Sequence, residues 1–80
     1  MTHEECVRAA AARVPVVYNS IYGRISYKRI SAIYWRYSSD LQKRRGMPET
    51  FMQVELEDWS GTSVTVAKPE KISAYTEETA

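Results

Sequence analysis

Residues 24–38, RISYKRISAIYWRYS, decide how this chain folds. The stretch carries Ile25, Tyr27, Ile30, Ile33, Tyr34, Trp35 and Tyr37. β-branched and aromatic side chains lose rotamer freedom in a helix and fit a pleated, half-buried surface. A long strand is therefore expected. Its alternation fails between Tyr27 and Ile30. A bulge near Lys28-Arg29 restores the period and bends the strand, as small barrels require.

The flanking segments agree with a β-rich fold. Upstream, Val16, Val17 and Tyr18 are β-formers, Asn19-Ser20 reads as a turn, and Gly23 permits a second bend. Downstream, residues 38–50, SSDLQKRRGMPET, read as a long polar hairpin loop. Residues 51–59 alternate, with Met52, Val54 and Leu56 on one face and Gln53, Glu55 and Glu57 on the other. Asp58-Trp59-Ser60-Gly61 is a turn, and residues 62–67 form a further strand with Val64 and Val66 inward. Pro69-Glu70-Lys71 suggests one tight helical turn before a buried anchor, Ile72.

Before Pro15 the period is helical. Thr2 and Glu5 match a capping box, in which each side chain satisfies the other's backbone N–H. Val7, Ala10, Ala11 and Val14 share one face, and Pro15 stops the helix. The expected fold is α+β and mainly β: a short N-terminal helix, residues 2–14, then a four- to five-stranded antiparallel SH3-like barrel, residues 15–72. Together these make a single small domain, residues 1–72. Residues 73–80 are expected to be a flexible acidic tail.

Counts narrow the function. At 80 residues and 9.2 kDa, a compact chain buries only about 63% of its open surface, leaving little room for a deep cleft. No disulfide forms from the single Cys6. His3 and Cys6 lie three apart, but no second pair completes a metal shell. A frayed terminus and a small buried thiol are the expectation there. The apolar runs are too short to span a bilayer, and the N-terminus has acids where a signal peptide has bases. The expected location is the cytoplasm, whether of a bacterium or of an infected bacterial host cell.

Four stretches carry a resemblance: residues 15–19 (PVVYN), 27–31 (YKRIS), 54–58 (VELED) and 61–72 (GTSVTVAKPEKI). With these the chain resembles short uncharacterised proteins encoded by phages and integrated elements of clostridia-type bacteria. The resemblance implies a mobile-element accessory protein that binds and blocks a host defence component.

Net charge is +1, but it is a cancellation. Residues 24–45 hold seven cations against Asp40 alone, and residues 46–80 are net acidic. The candidate binding residues are Arg24, Lys28, Arg29, Tyr34, Trp35, Arg36, Tyr37, Lys43, Arg44 and Arg45. Cations among flat rings suit phosphates and stacked bases. Trp, Tyr and Arg also anchor protein interfaces. Glu55, Glu57 and Asp58 read either as cross-strand partners of the basic strand or as a nuclease-like divalent-metal site. With the hairpin centred near Arg44-Arg45, Tyr34 falls opposite Val54 and Ala32 opposite Leu56. Ile33, Trp35, Tyr37 and Phe51 then share the other face, and a one-residue slip exchanges the faces. The glycines are isolated, and one His and one Cys build no catalytic constellation.

A non-enzymatic binding protein without cofactor is therefore expected. Its partner would be a host defence protein or that protein's nucleic acid. Homo-oligomerisation would account for the aromatic surplus, and no membrane partner is expected. The alternative is a nucleic-acid-binding small β-barrel using the basic-aromatic hairpin.

Overall fold

The computed structural model describes residues 1–76. The elements run α1 (His3–Ala12), β1 (Val16–Ser20), β2 (Gly23–Tyr27), β3 (Arg29–Tyr37), α2 (Asp40–Arg44), β4 (Thr50–Glu57), β5 (Val64–Ala67), a 3-10 turn (Pro69–Lys71) and β6 (Ile72–Ala74). The protein is α+β and mainly β. Six strands make two three-stranded antiparallel sheets, ordered β2-β1-β6 and β3-β4-β5.

The expected four- to five-stranded closed barrel is corrected by this arrangement. The long strand breaks at Lys28, and its halves enter different sheets. Lys28 N–H still donates to Glu57 O at 2.9 Å, so the break is a tight corner. The bulge lies further along, where the β3–β4 pairing shifts between Ile30 and Ala32. The Ser31 hydroxyl donates to Glu55 O there, at 3.3 Å.

Beyond the bulge Ile33 pairs with Val54, Tyr34 with Gln53, Trp35 with Met52 and Tyr37 with Thr50. This is one residue from the expected register, and the hairpin tip explains the slip. Ser39 and Gln42 form a capping box that draws α2 out of the presumed loop. Ser38 N–H then closes the hairpin on Glu49 O at 2.8 Å.

The helix start follows the sequence: Glu5 N–H donates to Thr2 Oγ1 at 3.1 Å, and Thr2 N–H to Glu5 Oε1 at 2.8 Å. The helix ends at Ala12, where Arg13 takes a left-handed conformation (φ 55°). Its buried face is Cys6 and Ala9, with Ala10 alongside, not the expected Val7, Ala10, Ala11 and Val14. Small side chains let the helix backbone approach β3 closely, and Val7 and Val14 stay exposed.

Met52, Val54 and Leu56 point inward as their alternation requires. They join Cys6, Ala9, Val16, Ile30, Ala67 and Ile72 in one core. In β5 the expectation is reversed: Val64 and Val66 are exposed and Ala67 is buried. Ala67 pairs with Val54, and opposite residues share a face, so the valines must look outward beside Glu55 and Glu57.

Asn19 and Ser20 belong to β1, and the turn falls on Ile21-Tyr22 instead. The Asn19 side chain is held by Lys71 O and Ser73 Oγ, which keeps it in the strand. The turn at residues 58–61, the helical turn at Pro69–Lys71 and the buried anchor Ile72 all form. Ser73 and Ala74, assigned to the tail, pair with Val17 and Val16 in β6. Residues 77–80 of the expected tail lie outside the described residues. No described helix is long and apolar enough to cross a membrane.

Candidate binding surface

The seven cations of residues 24–45 do not converge on one face. Arg24 is exposed on β2, and Lys28 is exposed at the corner. Arg29 Nε sits 2.8 Å from Glu57 Oε2 in a half-buried ion pair. The Arg36 guanidinium lies over the Tyr34 ring, 5.6 Å from its centre. Lys43, Arg44 and Arg45 gather at the end of α2, where the helix dipole favours cations. Lys43 Nζ is 3.9 Å from Asp40 across an exposed turn.

Register sorts the aromatic residues. Tyr34 is opposite Gln53, and Arg36 is opposite Phe51, so these four share the outer face of the second sheet. Phe51 thus parts from Trp35 and Tyr37, contrary to the expected grouping. Each outer ring carries a cation: Arg36 over Tyr34, and Lys68 over Phe51 at 5.7 Å. Gln53 Oε1 is buried in the same row without a hydrogen-bond partner.

Trp35 and Tyr37 belong instead to the inner face, opposite Met52 and Thr50. Helix α1 covers this face only as far as Trp35, whose ring meets His3 edge-on at 5.4 Å. Trp35 keeps 59% exposure and Tyr37, two residues beyond, 82%. Leu41 on α2 is also exposed. Beside Trp35 lies an open groove of about 230 Å³, lined by Met47, Pro48, Phe51, Met52, Lys68, Pro69 and Glu70 as well as His3.

Two of the three acidic residues have other tasks, and the Glu55 side chain takes no part in them. Glu57 pairs with Arg29, as the cross-strand reading had it. Asp58 organises its turn: its carboxylate accepts from Ser60 Oγ, Thr62 N–H and Ser63 Oγ. These donors, Ser63 first, hold its carboxyl well below the usual range, at about 2. Its carboxylate is thus already occupied, and no metal-holding cluster of His, Cys, Asp or Glu exists among the described residues. Burial pushes the Cys6 thiol up, away from the reactive thiolate.

Sequence periodicity gave no sign of a second apolar feature. Ile21 and Tyr22 protrude from the β1–β2 turn at 89% and 91% exposure. The Ser20 hydroxyl fixes the turn, donating to Gly23 O at 2.9 Å and accepting from Tyr22 N–H at 3.1 Å. The chain matches no protein-family model, no curated protein and no solved structure.

Proposed function

We propose that the protein is a non-enzymatic binding protein that docks a protein partner through the end of the β3–α2–β4 hairpin. One observation carries this reading: the inner apolar face of β3 runs past the helix that covers it and leaves Trp35 and Tyr37 in solvent. Aromatic surface left bare beside a packed core is what interfaces use, and Trp and Tyr bury large areas at small entropic cost. Lys43, Arg44 and Arg45 at the adjoining tip favour an acidic partner and speed its approach.

The sequence resemblance to phage and integrated-element proteins supports a bacterial host defence component as that partner. The protein then acts as a stoichiometric counter-defence inhibitor in the host cytoplasm, in the manner of an anti-CRISPR protein. The order of a bent strand, two hairpins, a 3-10 turn and a last strand returning to β1 supports an SH3-like classification. The test is capture from a clostridia-type lysate by wild type and by Trp35→Ala. A partner lost with Trp35→Ala is expected; equal capture by both overturns the assigned surface.

A second reading, nucleic-acid binding, draws on the outer face, where Arg36 and Lys68 lie against Tyr34 and Phe51. Bases would have to displace those cations from the rings in order to stack. That reading requires affinity for single strands that falls steeply with salt. A flat fluorescence titration at low salt removes it.

A further inference from the structure

The protruding turn and the groove are a knob and a hole side by side. The 3-10 turn at Pro69–Lys71 separates them: Pro69 and Glu70 line the groove, and Lys71 lines the base of the Ile21-Tyr22 turn. The turn is pinned by Ser20, so its backbone needs little further ordering and only the side chains of Ile21 and Tyr22 are immobilised on docking. Trp35, Met47, Pro48 and Phe51 give the groove its apolar lining.

We infer that two copies of this chain associate about a two-fold axis beside the 3-10 turn, each setting Ile21 and Tyr22 into the other's groove. The adjacency of knob and hole is what selects a second copy. A two-fold fills both grooves at once and closes the assembly, leaving no free end for a filament. Charge agrees with this pairing. Arg24 and Lys71 flank the knob and no carboxylate lines its base; Glu70 lines the groove, where the other charged side chain, Lys68, lies over the Phe51 ring. In the two-fold, Glu70 of each copy faces the cations beside the other's knob.

Area sets the strength. A tyrosine buries about 150–250 Å², so two short knobs and their sockets fall in the small class of interfaces, under about 1,200 Å² in all. The association is therefore weak and depends on concentration. Trp35 lines the groove, so self-association and partner docking compete for the same end of the hairpin.

Sedimentation equilibrium between about 10 μM and 1 mM tests it, a range that brackets weak affinities. Wild type is expected to rise from 9.2 kDa toward twice that mass. Tyr22→Ser alters a side chain in solvent and is expected to keep the melting temperature while remaining monomeric. Glu70→Arg is expected to weaken association about tenfold. A wild-type mass that never rises overturns the inference. So does an equal rise in Tyr22→Ser, or an unchanged affinity in Glu70→Arg.

Discussion

Leu56→Ala probes the register of the central hairpin. Leu56 has no solvent exposure. It lies opposite Ile30 on one side and Thr65 on the other, in the middle strand of its sheet. Leu-to-Ala changes in cores cost about 2–5 kcal/mol, the larger values falling where neighbours cannot collapse into the space. The neighbours here are stiff, because Ile30 and Val54 are β-branched and held in paired strands. A loss of about 3–4 kcal/mol is expected.

An 80-residue chain has about 4–12 kcal/mol in total. The melting temperature should therefore fall by about 12–30 °C at the usual 4–8 °C per kcal/mol. The paired control is Glu55→Ala, one residue away on the outer face, which should stay within about 0.5 kcal/mol. Urea unfolding followed by circular dichroism reads both. A Leu56→Ala loss below about 1 kcal/mol, or an equal loss in Glu55→Ala, refutes the register and the assignment of faces.

Three further outcomes are expected. Asp58 has its folded pKa depressed from 3.8 to about 2, so its stabilising contribution is present above about pH 4 and is lost as pH falls toward 2. Asp58→Asn should flatten that part of the pH–stability curve; an unchanged acid limb counts against the turn's hydrogen bonds. Gly61 sits at φ +74° with open space around it, so Gly61→Ala should cost about 1–2 kcal/mol through backbone strain alone, read by thermal melting. A double-mutant cycle on Arg29 and Glu57 should give a coupling of about 0.5 kcal/mol that shrinks with added salt; no coupling at low salt would deny the pair.

Much of the fold was legible because its signals are local. Thr2 and Glu5, the alternation of Met52, Val54 and Leu56, and the turns at 58–61 and 69–71 each follow from near neighbours. What escaped depends on distant partners. The buried face of α1 is the one with Cys6 and Ala9, because β3 selects close approach over hydrophobicity. The orientation of β5 follows from Ala67 meeting Val54. The hairpin slip turns on Ser39 and Gln42, a capping signature that the surrounding loop composition obscured. At the candidate site, the sequence named Trp35 and Tyr37 but could not place them, since a one-residue slip exchanges inner and outer faces. It grouped seven cations that the corner at Lys28 and the tip at α2 hold apart. Ile21 and Tyr22 carried no signal, because turn chemistry pointed to Asn19-Ser20.

The docking claim is tested most directly by photo-cross-linking in a clostridia-type lysate. A benzophenone-bearing residue replaces Tyr37 in one sample and Val64, exposed on the outer face of β5, in another. If the hairpin end is the docking surface and the proposed host is right, position 37 yields a discrete covalent adduct with one protein of the lysate, and position 64 yields none. An adduct from position 64 alone, or from neither position, contradicts it.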